Sequence, residues 1–196
     1  MQFEKPLEGT QRCTPTEETE PRKRGRPCNA CNLMSLKNRI TSKLSHRKFK
    51  TRNGNCKSKN LIYCAECILC DLKYVGQTTQ ELRGRINIHR NHVGRPPQMG
   101  STDKDDSALA DHLKNKHGKT TVHDFNTIFK FTICETEPKN LNKAEQSWIS
   151  KLFTMSPFGL NREKPLGVMD TFLSMTQREA RTQPLTSNQK NNTTRI

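Results

Sequence analysis

A glutamate lies on the apolar side of a predicted amphipathic helix over residues 141–153. On a helical wheel of about 100° per residue, Glu145 falls between Leu141 and Ile149, inside the apolar stripe. A carboxylate on the core side of a helix is costly unless it is paired or binds a metal. The position therefore indicates either a carboxylate ligand for a cation or a glutamate at the stripe's edge that reaches an arginine or the solvent.

Arg85 and His89 lie four residues apart on a second predicted helix, over residues 79–93. They stand beside an apolar stripe that includes Leu82 and Ile86, and side chains at this spacing are neighbours on a helix surface. We therefore expect the guanidinium and the imidazole to point towards a shared pocket edge. Simple surface charge on a basic helix is the alternative.

The only two tyrosines of the chain, Tyr63 and Tyr74, stand in two short strand-like runs over residues 60–63 and 72–75. The turn between the runs carries cysteines, so the pair predicts a β-hairpin. A further helix is predicted over residues 107–117, and alternating residues predict a strand over residues 127–134. The order β-β-α-α-β-α predicts a small α/β domain whose three-stranded, mainly antiparallel sheet is flanked by helices.

Two Cys-x-x-Cys pairs, Cys28 with Cys31 and Cys67 with Cys70, have the spacing that lets two thiolates bind one tetrahedral Zn²⁺ ion. The pairs flank a basic loop, and a single site made of all four would fasten that loop to the hairpin. Two further cysteines compete for a place in this tetrad. They are Cys56 and Cys64.

Two histidines, His112 and His117, have the spacing of metal ligands. However, His112 shares a helix face with Ala108, Leu109 and Leu113, which favours a packed structural histidine. Cys13 and Cys134 are isolated in the sequence, and Cys134 is expected to be a core or edge thiol.

Taken in order, these residues resemble the motifs of the GIY-YIG nuclease superfamily over roughly residues 60–162. The first motif is degenerate and reads Leu61-Ile62-Tyr63, and the second reads Tyr-Val-Gly. The chain is more similar still to the endonuclease domain of Penelope-like retroelements, which also has a Cys-x-x-Cys between the two motifs. The other shared features are Tyr74 to Thr78 (Tyr-Val-Gly-Gln-Thr), Leu82 to Arg85 (Leu-Arg-x-Arg), His89-Arg90, a helix with Glu145 and Trp148, and Gly159-Leu160-Asn161.

The resemblance implies a metal-dependent DNA endonuclease. Hydrolysis of a phosphodiester needs a positioned water, neutralisation of charge at the phosphate and help for the leaving oxygen. The implied roles are a Mg²⁺ or Mn²⁺ ligand for Glu145, phosphate binding and charge stabilisation for Arg85, general base for Tyr74, positioning of the water or sharing of its proton for Tyr63, proton relay or phosphate donor for His89, and orientation of the site or packing of the last helix for Asn161.

In that family the nuclease follows a reverse transcriptase, and its nick leaves a 3′-OH for the polymerase to extend. The resemblance therefore implies DNA as the substrate, a reverse transcriptase domain and element RNA as partners, and a nuclear location. Two alternatives remain: a catalytically inactive, zinc-dependent DNA-binding protein, and a structure-specific repair or resolving nuclease that acts on branched DNA.

Composition supports a partner that is a polyanion. The 196 residues carry a net charge of +15, and the apolar fraction of 31% lies below the roughly 45–50% typical of globular chains. No apolar run approaches the about 18 residues that would span a membrane, and residues 1–27 do not read as a signal peptide. Reduced or metal-bound thiols are therefore expected for the eight cysteines.

The same composition predicts four regions: a disordered basic tail over residues 1–27, a Cys-containing basic zinc or linker region over 28–59, the nuclease domain over 60–162, and a polar tail over 163–196. The segment Lys23-Arg24-Gly25-Arg26-Pro27 resembles an AT-hook, whose core lies in the minor groove. A generic basic tail or a nuclear localisation signal is an equal alternative. The residues predicted to bind DNA are Lys23, Arg24, Arg26, Arg47, Lys48, Lys50, Arg83 and Arg90.

Overall fold

The computed structural model of the chain describes residues 28–94 and 108–162. In these ranges, no helix is both long enough and apolar enough to cross a membrane. The strands are β1 (Arg39–Thr41), β2 (Lys48–Lys50), β3 (Leu61–Cys67), β4 (Lys73–Thr78) and β5 (Phe129–Thr136). The helices are α1 (Leu82–Asn91), α2 (Ala108–His117), α3 (Val122–Ile128) and α4 (Leu141–Leu152), and a 3-10 turn spans Cys31–Leu33.

The central sheet has three antiparallel strands in the order β4-β3-β5. In the β3-β4 hairpin, Tyr63 lies opposite Gly76 and Ala65 lies opposite Tyr74. On the other side of β3, Tyr63 lies opposite Ile133 of β5. These pairings confirm the predicted α/β class, with a small antiparallel sheet of three strands and flanking helices, and they confirm the predicted hairpin.

The main core covers the side of the sheet on which Tyr63 lies. Side chains of a strand alternate between its two faces, so Leu61, Tyr63, Ala65 and Cys67 enter this core together. Helices α1, α2 and α3 contribute six further large residues to it, which are Leu82, Ile86, Leu109, Leu113, Phe125 and Ile128. Any polar atom among these side chains needs a partner within the core.

Helix α4 packs against β4 and β3 with buried residues that are not part of that core. It begins after Asn140, whose side chain accepts a hydrogen bond from the Lys143 backbone N–H at 2.9 Å, and it ends at Phe153 in the left-handed conformation. The predicted helix over residues 141–153 is thus confirmed, with Phe153 as its cap. The β1-β2 hairpin, which was not predicted, lies against this helix: the Phe49 ring meets the Trp148 ring edge-on at 6.1 Å.

Two parts of the segment 28–59 lie beside the outer edge of β5. Met34 forms a parallel bridge with Phe131, and the Ser35 N–H donates to the Phe131 carbonyl at 2.7 Å. Further along, the Arg52 N–H donates to the Ile133 carbonyl at 3.0 Å. This segment therefore covers backbone groups that an exposed edge strand would present to solvent.

Two predicted element boundaries are wrong, each for a local reason. Helix α1 begins after Glu81 rather than at Thr79, since the first N–H groups of the helix are bonded by backbone carbonyls of an earlier loop. The predicted strand over 127–134 begins two residues too early, because residues up to Ile128 form α3. That helix, which was not predicted, starts with a capping box in which Thr121 and Asp124 bond each other's backbone N–H.

Candidate functional site

Three side chains from β3 and α1 form a buried polar network. The Tyr63 hydroxyl lies 2.7 Å from the His89 Nε2 atom, and the Arg85 Nε–H donates to the same hydroxyl at 3.1 Å. Tyr63 and His89 are fully buried, whereas Arg85 is partly exposed. The hydroxyl can therefore exchange a hydrogen bond with the imidazole while it holds the guanidinium at the surface.

Tyr74 completes the aromatic part of this network. Its ring lies 5.5 Å from the His89 ring in an edge-on arrangement and 6.3 Å from the Tyr63 ring. A Cβ atom at Gly76 would stand 2.5 Å from the Tyr63 hydroxyl and 2.8 Å from the Tyr74 ring. Glycine is therefore the residue that allows the two tyrosines and the histidine to approach one another.

Asn161 fixes the strand that carries Tyr74. Its Oδ1 atom accepts a hydrogen bond from the Val75 N–H at 2.9 Å, and its Nδ2 donates to the Val75 carbonyl at 2.7 Å. Val75 lies between Tyr74 and Gly76 in β4. Asn161 thus holds the backbone next to Tyr74, and the role expected for it in the site stays a prediction.

Glu145 lies on the buried side of α4, with 7% of its surface exposed. The buried position agrees with the helical wheel. Nearby on the same helix, Trp148 donates its indole N–H to the Glu135 carboxylate at 2.8 Å. Since α4 packs against β4, the carboxylate of Glu145 belongs to a helix that contacts the strand of Tyr74.

An open cleft of about 660 Å³ lies between the start of α1 and the start of α4. Arg85 forms part of its wall, so the network that begins at Tyr63 ends at a surface that a ligand can reach. Most of the other lining side chains are uncharged and polar. They are Gln77, Thr78, Thr79, Gln80, Asn140 and Asn142, with Ile88 and Leu141 as the apolar members.

A group of four possible metal ligands joins the β3-β4 turn to α2. The Cys67 Sγ atom lies 3.4 Å from the His117 Nε2, and the Cys70 Sγ lies 3.4 Å from the His112 Nε2. The two Nε2 atoms are 3.2 Å apart, and all four ligand atoms lie within 4.8 Å of one another. Two sulfurs and two nitrogens in this arrangement could hold a metal such as zinc.

The electrostatics of this Cys/His group fit a cation. Burial, with the charge of His117 as a second cause, lowers the pKa of His112 to about 4, so its ring is neutral at neutral pH and free to act as a ligand. Burial also raises the pKa of Cys67 to about 11, which disfavours the thiolate. A bound cation would reverse this effect, because it stabilises the deprotonated sulfur.

A second group consists of three cysteines near the start of α1. The Cys56 Sγ lies 3.4 Å from the Cys31 Sγ and 3.6 Å from the Cys28 Sγ. Burial raises the pKa of Cys28, but hydrogen bonds from the Cys31 backbone and from the Cys56 thiol outweigh it, so the net pKa is lowered. This three-cysteine group can therefore also hold a thiophilic metal ion.

The predicted tetrad is accordingly wrong in its membership. Cys28 and Cys31 join Cys56 in one group, while Cys67 and Cys70 lie in the other. His112 is packed as expected, with its ring against Phe129, and its Nε2 atom also faces the sulfur of Cys70, so it is a possible ligand as well. A Cys-x-x-Cys followed by His-x-x-x-x-His matches the ligand spacing of zinc sites and was the sequence signal for this group.

Cys64 and Cys134, by contrast, are buried outside both groups. Cys64 follows Tyr63 in β3 and so points away from the core that holds the tyrosine ring. Burial raises the pKa of both thiols well above the ordinary value. Neither residue is therefore placed as a metal ligand, and the expectation of a buried thiol at Cys134 is confirmed.

The residues predicted to bind DNA fall into separate places. Arg47, Lys48 and Lys50 are exposed on or beside β2. Arg83 and Arg90 line a second open cleft of about 610 Å³, which also includes Lys59. The AT-hook-like residues Lys23, Arg24 and Arg26 lie outside the described residues, as does Cys13.

No protein-family model matches the chain, and no curated protein and no solved structure matches it either. The resemblance to the GIY-YIG superfamily thus depends on the ordered motifs of the sequence alone. What the geometry adds is the proximity of Tyr63, Tyr74, Arg85 and His89, together with a cleft that Arg85 lines.

Proposed function

We propose that the chain is a metal-dependent endonuclease of the GIY-YIG type, which hydrolyses phosphodiester bonds in DNA. The observation that carries the proposal is the hydrogen-bonded set of Tyr63, His89 and Arg85, which ends at the open cleft. A lone surface arginine would need no buried tyrosine and histidine behind it. A guanidinium held in one orientation suits recognition of a phosphate, whose oxygens it can bind in pairs.

Arg85 binds the phosphate in this proposal and stabilises the charge that develops on its oxygens. Tyr63 and His89 are fully buried, so they act as positioning residues that fix the direction of the guanidinium. His89 also accepts or returns a proton through the Tyr63 hydroxyl, since the two atoms are 2.7 Å apart. This refines the expected role of Tyr63, which acts through Arg85 rather than by touching the water.

Tyr74 is the proposed general base for the attacking water. Its ring is packed edge-on against His89 and lies on the strand next to Tyr63. Gly76 and Asn161 keep this tyrosine in place, the first by leaving space and the second by bonding the Val75 backbone.

Glu145 is the proposed ligand for one Mg²⁺ or Mn²⁺ ion. Glu145 has 7% of its surface exposed and lies on a side of the helix whose other buried residues are apolar. A hard cation would stabilise a carboxylate in such a place. When bound there, the ion would supply neutralisation of negative charge at the phosphate.

The Cys/His group is a proposed structural zinc site. Its ligands come from the end of β3, from the turn that follows and from α2, and both cysteines lie more than 40 residues before the histidines. A Zn²⁺ ion there would hold the tip of the tyrosine hairpin against α2. The proposed biological setting rests on the resemblance: the nick supplies a 3′-OH for a reverse transcriptase that copies element RNA in the nucleus.

The test is plasmid nicking by the purified chain with Mg²⁺ or Mn²⁺ and with EDTA. We expect metal-dependent nicking that Glu145→Gln removes at saturating DNA, because the ion is lost while the basic surfaces remain. Glu137→Gln, which alters an exposed glutamate outside the site, is the matched control and should cut as the wild type does. Equal nicking by the two variants would overturn the assignment of Glu145.

A second candidate function is DNA binding without cleavage. The net charge of +15 and the exposed basic residues at β2 favour DNA binding whether or not the chain cuts. Tight binding without nicking, in every metal tried and in all variants, would favour this candidate. If the chain does cut, a comparison of linear with branched DNA separates a retroelement-type nuclease from a resolving nuclease.

A further inference from the structure

We propose that the three-cysteine group is a second zinc site, and that its ion holds the loop that caps α1 and thereby positions Arg85 and His89. The group is separate from the Cys/His group, and it lies beside the first turn of the helix that carries both residues. The part of this inference that concerns cleavage rests on the proposed function. The part that concerns the metal and the helix does not.

The donor set and its spacing suit Zn²⁺. A tetrahedral ion with Zn–S bonds of about 2.3 Å places its sulfurs about 3.8 Å apart. The Cys56 sulfur lies 3.4 Å and 3.6 Å from its two neighbours, which is close to that spacing and far above the about 2.0 Å of a disulfide. Three thiolates favour a thiophilic ion such as Zn²⁺ over Mg²⁺ or Ca²⁺.

The described residues supply no fourth His, Cys, Asp or Glu ligand to this group. A water or another small ligand would complete the coordination. Cys28 makes this possible, because it is only partly buried and lines the cleft of about 610 Å³. Solvent thus reaches the side of the group on which Cys28 lies.

Helix α1 depends on the loop of Cys56 for its cap. Its N-cap residue, Glu81, makes no hydrogen bond from its side chain to the helix backbone. Instead, the Arg83 N–H donates to the Cys56 carbonyl at 2.7 Å, and the Leu82 N–H donates to the Ser58 carbonyl at 3.0 Å. The first turn of a helix leaves such N–H groups without partners inside the helix, so this loop does what a capping side chain does elsewhere.

The position of Arg85 follows from this cap. Arg85 lies two residues after Arg83, and His89 lies one further turn along the same helix. Zinc bound to the Cys56 sulfur would fix the residue whose carbonyl bonds Arg83. Loss of zinc would therefore loosen the first turn and change the direction of the Arg85 guanidinium, while the remaining core contacts of α1 hold the helix in place.

The first experiment measures zinc per chain in the full-length protein, before and after mild chelation. We expect two zinc ions in the wild type, one in Cys28→Ser/Cys56→Ser and one in Cys67→Ser/Cys70→Ser. Cys134→Ala, which changes a buried cysteine outside both groups, should retain two.

If the double variant Cys28→Ser/Cys56→Ser fails to fold, Cys28→Ser alone, at the partly exposed ligand, serves in its place. This single variant should release zinc more readily than the wild type. One zinc in the wild type, unchanged by either serine variant at the three-cysteine group, would overturn the proposal.

The second experiment tests the coupling to α1. Hydrogen exchange at the Leu82 and Arg83 amides should speed up by about tenfold or more in Cys28→Ser/Cys56→Ser, and not in Cys134→Ala. In DNA nicking, kcat should fall by about 10- to 100-fold with little change in KM, as for residues that orient a site from outside it. Unchanged exchange would overturn the coupling. Faster exchange in a protein that never nicks DNA would support the coupling and count against the proposed nuclease.

Discussion

The two groups of possible metal ligands differ in what they hold. The Cys/His group joins the tip of the β3-β4 hairpin to α2. The three-cysteine group joins residues 28–31 to the loop that caps α1. The first therefore links two parts of the core, whereas the second touches the helix of the candidate site. With zinc bound at both groups, as proposed, the first ion would act on stability and the second on the position of the Arg85 helix.

Removing the cysteines of each group in turn tests whether the two groups differ in this way. Cys67→Ser/Cys70→Ser should lower Tm by about 10 °C or more, because structural zinc contributes to folding free energy directly. Cys28→Ser/Cys56→Ser should lower Tm by less than the other double variant does. For each degree of lost Tm, it should reduce the nicking rate by the larger factor. Thermal unfolding and nicking at a temperature where both variants are folded provide the two measurements. If the two double variants lose the same amount of nicking activity for each degree of lost Tm, the two groups do not differ in what they do.

Gly76 tests the same site from the strand rather than from the helix. Gly76→Ala should cost about 1–3 kcal/mol, because the added methyl group meets the Tyr63 hydroxyl and the Tyr74 ring. Chemical denaturation measures the loss. Gly84→Ala is the matched control, since a Cβ atom at Gly84 meets nothing within 4 Å, and it should leave stability unchanged or raise it. A loss of stability confined to Gly84→Ala would contradict the packing described here.

Asn161 should give a smaller effect. Asn161→Ala leaves the backbone N–H and carbonyl of Val75 without their partners, at a cost of about 1–2 kcal/mol. Because Val75 is next to Tyr74, nicking should fall further than global stability alone explains. Nicking rates compared with unfolding free energies would show this. Equal stability of wild type and variant would mean that water replaces the amide.

Much of the fold could be predicted from the sequence because it depends on local patterns. Short strand-like runs identified the strands of Tyr63 and Tyr74, and the apolar stripe identified the helix of Glu145. Helix α3 was missed because its last two residues were taken into the strand and residues 122–126 were assigned to no element, although the Thr121 and Asp124 pair was a readable capping box. Its existence moved the start of β5 to Phe129.

The two groups of possible metal ligands could be predicted only in part, because tertiary structure decides which residues belong to each group. The Cys-x-x-Cys pairs were recognised, but each pair has its remaining ligands far away in the sequence. Cys56 belongs to no Cys-x-x-Cys pair in the sequence, and its place beside Cys31 depends on the loop that caps α1. His112 sits on a helix face that suits both packing and ligation, so the face alone could not separate the two roles.

Single-turnover cleavage of saturating plasmid DNA by wild type, Arg85→Ala and Arg39→Ala tests the proposed role of Arg85. Arg39 is an exposed arginine on β1 and controls for the lost charge. We predict that Arg85→Ala lowers the cleavage rate by about 100- to 1,000-fold while the DNA Kd changes by less than about threefold, because the residue stabilises charge in the transition state. Arg39→Ala should cut at the rate of the wild type. Cleavage by Arg85→Ala at that same rate would show that Arg85 does not act in the reaction.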